Sequence, residues 1–260
     1  MYRELEAADH RRILGIEAHE VPDVLLLVGI FAVHAGAERF TAYLDEAVPL
    51  KRYPAWLGRG GGLRVAVAGC FGGPMAAMHA HTWCMAGTPA VIQLGWFGAL
   101  QPGMAAGEVI VPGHAERQDG ASDWYLPKGI LADATPELAE AVAGRLRARG
   151  LGVREGAIYS TPALLAESRE VIRDWSRHGY QGVDMETAAT FAVAKSLGAR
   201  RAAALIRLDD LVAEADSVAI EMTRERRRLL RDCEAQVTGA VLEAIADVAP
   251  AAPLAGAAAR

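Results

Sequence analysis

Short runs of apolar residues alternate with longer segments of helical periodicity, and this alternation constrains the fold more than any other feature. Most of the short runs are apolar at successive positions, as strands are when both faces of their sheet are covered. Strands and helices alternating around one core predict an α/β fold, a single domain with a mostly parallel (mixed) central sheet flanked by helices. The predicted strands are Val24–Phe31, Leu63–Gly69, Ala90–Leu94, Glu108–Val111, Gly156–Ser160, Gly182–Asp184 and Ala202–Leu208.

Helix boundary signals lie between these strands. Thr135, followed by a proline and a glutamate, is typical of a helix start, and Gly150 is typical of its end. A second helix is predicted over Glu186–Leu197. A third, roughly Asp216–Ala246, begins with an arginine-rich stretch that we interpret as a solvated face. Its apolar stripe at three-to-four spacing consists of Leu230, Cys233, Val237, Val241 and Ile245.

Composition sets limits on partners and location. The net charge is −5, and the densest basic run, Arg224–Arg228, is interrupted by Glu225, so no nucleic-acid partner is predicted. Three cysteines without CxxC spacing are typical of reduced thiols. The N-terminal segment lacks the apolar core of a signal peptide, and no apolar run approaches the roughly 20 residues of a membrane span. We therefore expect a cytoplasmic protein without a membrane partner. It would comprise an N-terminal extension (1–20), one domain (21–247) and a disordered tail (248–260).

Two carboxylates, Asp184 and Glu186, flank a methionine at the point where a predicted strand passes into a predicted helix. Ligands of such folds bind at the carboxyl ends of the strands, so both side chains can reach the same crevice. Carboxylates there would be strong acceptors for sugar hydroxyls. The alternative is a capping role, because acidic residues in the first turn stabilise a helix.

A second acidic pair, Asp209 and Asp210, ends the apolar strand Ala202–Leu208. Adjacent carboxylates at an apolar strand end meet the conditions, desolvation and mutual repulsion, that a general acid needs at neutral pH. The alternative is an N-cap for the following helix. Two glycine-rich turns, Gly69–Pro74 and Gln93–Ala99, would let a ligand approach the backbone, although a tight turn is an equally simple reason for them.

The order of these segments resembles the purine and uridine phosphorylase superfamily of nucleoside phosphorylases and nucleosidases. Its hydrolytic branch cleaves methylthioadenosine and adenosylhomocysteine. The resemblance runs from about Val21 to about Ile245. Its most specific part is the segment Gly182–Ala189 together with Asp209, because the spacing from Glu186 to Asp209 fits the family without a gap. The glycine elements, beginning with Gly29, are less specific.

The resemblance implies a role for each matching residue. Glu186 would accept hydrogen bonds from the ribose hydroxyls, with Met185 packed against the sugar and Asp184 nearby. Asp209 would lie against N7 of a purine and share a proton with the departing base. Carboxylates and an acid of this kind stabilise an oxocarbenium-like transition state. The other implied substrate contacts are Gly29, Phe71, Gly95 and Leu164, the last at a position where the family often has a base-stacking phenylalanine.

Three positions depart from the family pattern. Phosphorylases hold phosphate with an arginine in the first strand-end loop, an arginine in the third, and a serine or threonine three residues later. The matching residues here are Val33, Gln93 and Trp96. Burying phosphate without cations costs several kcal/mol, so the resemblance implies water as the nucleophile. The glutamate that activates water in the hydrolytic branch also falls at Val33, which leaves His34 as the candidate base. An imidazole on the surface of the loop is the alternative.

The sequence therefore predicts an enzyme that cleaves the N-glycosidic bond of a purine-type nucleoside with water. The alternatives are a phosphate-dependent phosphorylase that uses residues such as Gln93 and Arg39, and a non-catalytic nucleoside-binding protein. No cofactor and no metal are predicted, since His79 and His81 point to different faces of a helix. By analogy we expect a homo-oligomer, a dimer or a hexamer, whose interface could include Trp83, Trp124 and Tyr125.

Overall fold

A ten-stranded sheet runs through the centre of the protein, in a computed structural model that describes residues 2–213 and 223–248. Seven α-helices pack on this sheet within those ranges. The strands are β1 Val24–Gly29, β2 Asp45–Pro49, β3 Ala55–Gly60, β4 Leu63–Cys70, β5 Ala90–Ala99, β6 Val109–Arg117, β7 Ala132–Asp133, β8 Val153–Ser160, β9 Gly182–Asp184 and β10 Arg200–Asp210. The helices are α1 Ala7–Leu14, α2 Val33–Phe40, α3 Gly73–Ala86, α4 Pro136–Ala148, α5 Arg169–Arg177, α6 Thr187–Ser196 and α7 Arg224–Asp247.

The topology centres on β5, which pairs in parallel with β1 on one side and with β10 on the other. Beyond β1 the sheet continues through β4, β3 and β2. On the other side β10 pairs with β6, β6 with β8, β8 with β9, and β9 returns to β5, so these five strands close a ring. The predicted α/β domain with a mixed sheet is confirmed, and the carboxyl ends of β1, β5 and β10 meet at one edge.

Successive residues of β1 enter two different cores. Val24, Leu26 and Val28 pack with residues of α2, α4 and α7. Leu25 and Leu27 face the opposite way and pack with residues of α1, α3 and α6. All five side chains are fully buried, which is the physical reason for the unbroken apolar run in the sequence.

Strands β5, β6, β8 and β10 are longer than predicted, β1 ends two residues earlier than predicted, at Gly29, and β2, β3 and β7 were not predicted. β5 continues past Gly95, whose φ is +143° and where a Cβ would lie 2.8 Å from the Gly29 carbonyl oxygen. Glycine thus permits the close approach of β1 and β5 instead of ending the strand. β2 is largely exposed and contains a proline, while β3 contains two glycines. Their sequences therefore lack the apolar alternation by which strands are recognised.

The last helix begins later than predicted within the described residues. Thr223 caps α7 by accepting a hydrogen bond from the Arg226 backbone N–H at 3.2 Å. The predicted helix also includes residues 216–222, which lie outside the described residues. The predicted tail lies outside them too, apart from Val248. The predicted apolar stripe of α7 is buried, as expected. None of the described helices combines the length and apolar character needed to span a membrane.

The three aromatic residues expected at an interface have different environments. Trp83, on α3, is fully buried in the core, so it cannot cover an interface, and that part of the expectation is wrong. Tyr125 is partly buried, and its hydroxyl lies 3.2 Å from Nδ1 of His81. Trp124 is 83% exposed and is the most accessible of the three.

Candidate functional site

A cavity of about 620 Å³ lies at the carboxyl ends of the central strands, beside α2 and α7. This is where the crossing of strands and helices leaves a crevice in α/β folds. Gln93, Gly95 and His34 are not among the residues that line it. The other predicted site residues line the cavity together: Gly29, Phe71, Trp96, Leu164, Asp184, Met185, Glu186 and Asp209.

Glu186 occupies the N-cap position of α6, and its carboxylate is buried in the cavity wall. Its Oε1 accepts a hydrogen bond from the Gly72 backbone N–H at 2.7 Å, and Oε2 accepts one from Met185 at 3.3 Å. Burial, and next the charge of Asp184, raise the pKa of Glu186 to about 8. The side chain is therefore held in one place, and its pKa lies close to neutral pH.

Asp184, two residues earlier, is committed to the protein itself. Its Oδ1 accepts a hydrogen bond from the Ser160 hydroxyl at 2.6 Å. Its Oδ2 accepts one from the Thr187 backbone N–H at 2.9 Å and another from the Thr187 hydroxyl. Burial raises the pKa of Asp184, and these hydrogen bonds oppose that shift. Asp184 thus caps α6, the alternative that the spacing left open, and so leaves Glu186 to face the cavity.

A β-bulge near the end of β10 sets the direction of Asp209. Arg207 pairs with Phe97 of β5, but the next partner, Gly98, pairs with Asp209, so Leu208 is the extra residue. A bulge turns the following side chain relative to a regular strand. Leu208 and Asp209 consequently both line the cavity, although neighbours on a regular strand face opposite ways.

Asp210 serves the loop that follows β10. Its Oδ1 accepts hydrogen bonds from the backbone N–H groups of Val212 at 3.2 Å and Ala213 at 3.0 Å. Asp210 is not among the cavity-lining residues, whereas Asp209 is. The two adjacent acids therefore have different tasks, which their sequence alone does not separate.

Glu167 was not predicted as a site residue, yet it lines the cavity in the loop between β8 and α5. Its Oε1 is buried and has no hydrogen-bond partner among the described residues. Burial, and next the charge of Asp209, raise the pKa of Glu167 to about 7. Its sequence signal is weaker than that of Asp209, because Glu167 follows the end of its strand at Ser160 by seven residues whereas Asp209 directly follows the predicted strand Ala202–Leu208.

Gln93, which occupies a phosphate-ligand position of the family pattern, is fully buried behind the cavity wall. Its Nε2 donates to the Leu94 carbonyl oxygen at 3.0 Å, and its Oε1 accepts from the Thr190 hydroxyl at 2.7 Å. A Cβ on the adjacent Gly29 would lie 3.2 Å from Nε2. The Gln93 amide is therefore engaged within the protein and is not directed at a ligand.

Trp96 and Arg39 line the cavity in contact with each other. The Arg39 guanidinium carbon lies 5.7 Å from the centre of the Trp96 ring, a cation–π geometry. Arg39 Nη2 also donates to Oε1 of Glu234 at 3.0 Å. Of the two residues suggested as alternative phosphate ligands, the structure brings Arg39 to the cavity and keeps Gln93 out of it.

Val33 and His34 begin α2 away from the cavity lining. The carbonyl oxygen of Val33 lies where a Cβ on Gly69 would be, so this turn packs closely on the end of β4. The His34 ring stacks at 4.7 Å from the ring of Trp56 and is exposed. His34, the candidate base for activating water, therefore lies on the surface, in agreement with its alternative interpretation as a surface imidazole.

The apolar part of the cavity comes from both predicted and unpredicted residues. The rings of Phe31 and Phe71 lie 4.5 Å apart, and Phe31 was assigned to the end of a strand. Leu164 and Met185 also line the cavity. Such surfaces bind the planar base and the sugar face of a small ligand, while the carboxylates orient it.

Helix α7 contributes four cavity residues, of which Arg227 belongs to the arginine-rich stretch interpreted as a solvated face and Leu230 to the predicted apolar stripe. Arg227, Leu230, Arg231 and Glu234 all line the cavity. An arginine-rich helix start usually faces water, so the pattern gave no reason to place these side chains in a site. Their position follows from the packing of α7 against α4 and β10.

The two histidines of α3 occupy different environments. His79 is buried with its ring edge-on to Tyr53, and burial lowers the pKa of His79 to about 4. Burial, and next the charge of His10, lower the pKa of His81, which faces Tyr125. In the part of the chain that the structure describes, no three His, Cys, Asp or Glu side chains are placed to hold a metal ion.

Comparisons with known proteins point in one direction. The family model described as "Phosphorylase superfamily" matches residues 25–245. The chain is 24% identical over 184 residues to the uridine phosphorylase of Haemophilus influenzae, covering 64% of this chain and 73% of the relative. It is 26% identical over 204 residues to a DeoD-type purine nucleoside phosphorylase of Roseobacter denitrificans, covering 76% and 86%. The crystal structure of a uridine phosphorylase from Vibrio fischeri has the same fold, with a TM-score of 0.78, 21% identity, and coverage of 89% of this chain and 95% of that one.

Proposed function

This chain belongs to the phosphorylase superfamily, and from that premise we propose that it cleaves the N-glycosidic bond of a purine-type nucleoside with water as the nucleophile. One observation carries the choice of water. Gly29 and Glu186 form one wall of the cavity, and Gln93 lies directly behind it. The Gln93 amide is already hydrogen-bonded within the protein, Glu186 adds a carboxylate, and none of the three residues supplies a cation that could bind phosphate.

Glu186 and Asp209 would perform the chemistry on opposite parts of the nucleoside. Glu186 would bond to the ribose hydroxyls and stabilise positive charge at C1′. The C1′–N bond breaks with its electron pair passing to the base, and Asp209 shares a proton with N7 of the base. Water adds to C1′ and loses one proton, so the products are free ribose and free base.

The proton lost by water needs an acceptor, and His34 is poorly placed for that task because it stacks on Trp56 outside the cavity lining. Glu186 is the better candidate, since its carboxylate lies next to Gly29 at the sugar side of the proposed site. A group whose pKa lies near the working pH is suited to accept and release a proton, and the pKa of Glu186 is about 8.

Phosphate would lack its usual ligands at this wall. The residues matching two arginines and a hydroxyl are Val33, Gln93 and Trp96. Each missing charge-assisted bond weakens phosphate binding by about 1.5–3 kcal/mol, so two lost arginines raise its dissociation constant a hundredfold or more. Millimolar phosphate would then leave this position mostly empty.

Phosphorolysis is the second candidate, and one observation favours it. Arg39 lines the cavity beside Trp96, so a cation is present near the position of a lost ligand. The two relatives named above are phosphorylases. A nucleoside-binding protein without catalysis is the third possibility; the acids Glu186 and Asp209 in the cavity argue against it.

The test is a panel of purine nucleosides incubated in phosphate-free buffer and in millimolar phosphate, with the sugar product identified. We expect free ribose at equal rates in both buffers. Ribose 1-phosphate formed only in the presence of phosphate would reject water as the nucleophile and support phosphorolysis. Absence of free base in either buffer would reject both enzymatic proposals. A His34→Ala variant should keep its rate within about threefold, because no general-base step depends on it.

A further inference from the structure

Helix α1 packs on α3, on the opposite side of the sheet from α7. Leu14, at the end of α1, and Ile16, just beyond it, are buried in the core that α3 shares with β1 and β4. The Arg11 guanidinium donates to the carbonyl oxygen of Ala86, the last residue of α3, at 3.3 Å. These contacts are apolar or involve a permanently charged arginine, so they do not respond to pH between about 5 and 8.

A pair of histidines in the same interface does titrate in that range. His10 of α1 is only 4% exposed, and both of its ring nitrogens are buried without a hydrogen-bond partner among the described residues. The centre of its ring lies 5.3 Å from that of His81 on α3. Nδ1 of His81 lies 3.2 Å from the Tyr125 hydroxyl. Buried polar atoms usually have partners, so a buried imidazole with two unpartnered nitrogens needs a reason.

The elements packed against these two rings bring few charges to them. Helix α3 contains no Asp, Glu, Lys or Arg, and its other histidine, His79, is buried against Tyr53. Close to Tyr125 in the chain, Asp123 pairs with Arg117 at 2.6 Å. A proton on either ring of the pair would therefore find no free carboxylate on α3 or beside Tyr125 to balance its charge.

Asp9, the carboxylate next to His10 on α1, has partners of its own. It accepts hydrogen bonds from the Glu6 backbone N–H at 3.0 Å and from the Arg12 guanidinium at 2.6 Å. Burial lowers the pKa of His10, and Asp9 opposes this shift only in part. Burial, and next the charge of His10, lower the pKa of His81. Both rings are therefore neutral at pH 7 while α1 is docked.

We propose that His10 and His81 form a pH-sensitive latch, which keeps α1 docked on α3 at neutral pH and releases it in mild acid. In water an imidazole takes up a proton below about pH 6.5, whereas in this interface the first proton would be buried and a second would lie beside it. Because docking lowers the pKa of both groups, the docking free energy is complete above about pH 6.5 and decreases as the pH falls below it. The latch does not depend on the reaction proposed for the cavity.

Hydrogen exchange followed by mass spectrometry between about pH 7.5 and about pH 5 tests the latch. Each measured rate is divided by the intrinsic rate at that pH, and residues 7–16 are compared with α4, which contains no histidine. We expect the protection of residues 7–16 to fall about tenfold or more relative to α4 over this range.

Three variants separate the latch from other effects of acid. The double variant His10→Phe/His81→Phe keeps two rings that cannot take up a proton, so its residues 7–16 should stay protected at low pH. His10→Leu, which needs less space, should reduce the pH dependence in the same direction and decides the question if circular dichroism shows that the double variant does not fold. His19→Phe, the same change at an exposed histidine, should behave as the wild type.

Two results would overturn the latch. One is wild-type protection of residues 7–16 that follows α4 at every pH, because acid would then act on the whole fold or not at all. The other is a fall in the folded His10 variants as large as in His19→Phe, because the pH dependence would then come from another group.

Discussion

The Arg207 guanidinium lies 3.4 Å from a carboxylate oxygen of Asp210, and both side chains are nearly buried at the end of β10. This ion pair gives a partner to an arginine that stands within an otherwise apolar strand. It also adds to the loop N–H groups that already bind Asp210. Asp209 is consequently the member of the acidic pair that the cavity can use, and the two acids are predicted to respond differently to substitution.

Asp209→Asn should slow cleavage of a purine nucleoside by about 10²-fold or more, the range for loss of a general acid. Asp210→Asn should change kcat/KM by less than about threefold, but lower stability, because the ion pair between Arg207 and Asp210 is lost. Steady-state kinetics and thermal melts of both variants check this. An Asp210 variant that melts normally but is catalytically crippled would show that the acid is assigned to the wrong residue.

Gly29→Ala is expected to lower kcat/KM by about tenfold or more while the protein still folds. The new Cβ would lie 2.8 Å from Oε2 of Glu186, so the carboxylate must move, and small displacements of a catalytic group are costly. Gly144→Ala in α4 is the matched control, because nothing lies within 4 Å of a Cβ there. That control should keep full activity and gain about 0.5–1 kcal/mol of helix stability. Equal activity of the two variants would remove Glu186 from the reaction.

The pH dependence of kcat/KM should report on Glu167. A neutral carboxyl can donate a hydrogen bond to the base, so kcat/KM should fall as pH rises through about 7, the pKa of this group. Since this pKa is raised above the ordinary value, the associated folding stability is present at low pH and is likewise lost as pH rises through about 7.

Glu167→Gln, which keeps a donor at every pH, should flatten this limb of the profile and retain most activity at pH 6. Glu167→Ala should lose about tenfold at that pH. Glu140→Gln, exposed on α4, should follow the wild-type curve. An unchanged profile in Glu167→Gln would assign the pH dependence to another group.

Thr190→Val should destabilise the protein by about 1–3 kcal/mol, because it leaves Oε1 of the buried Gln93 without its donor. Thr238→Val is the control. Thr238 is equally buried, but its hydroxyl donates to the Glu234 carbonyl within the same helix, so its loss should cost less than about 1 kcal/mol. Urea unfolding at constant pH measures both. Similar losses in the two variants would mean that the Gln93 amide is not held by Thr190 as described.

A homo-oligomer, at least a dimer, remains our expectation for solution. Trp124 is 83% exposed, and Ile130 and Leu131 nearby in the chain are also exposed, a composition found in interface cores. Sedimentation at micromolar concentration should give a mass well above 27.6 kDa, and Trp124→Ser should weaken the association. A single species at 27.6 kDa would contradict this expectation.

Local chemistry was enough to predict the layers of the fold and the position of the principal acids. Successive apolar residues such as Val24–Gly29 indicate a strand buried on both faces, because each side chain needs a core on its own side. Glu186 and Asp209 follow strands directly, and the carboxyl ends of parallel strands share an edge. The replacement of phosphate ligands by Val33, Gln93 and Trp96 is likewise visible in the residue types alone.

Only the tertiary structure decided which side chains face the cavity. The bulge at Leu208 turns Asp209 inward and depends on pairing with β5, more than 100 residues away in the chain. Glu167 and Arg227 reach the site because the ring of five strands and the packing of α7 bring distant segments together. His34, by contrast, stacks on Trp56 of β3, a strand that its own sequence does not announce. Side-chain type and spacing are properties of neighbours in the chain, whereas direction and burial depend on non-local contacts that a local pattern does not contain.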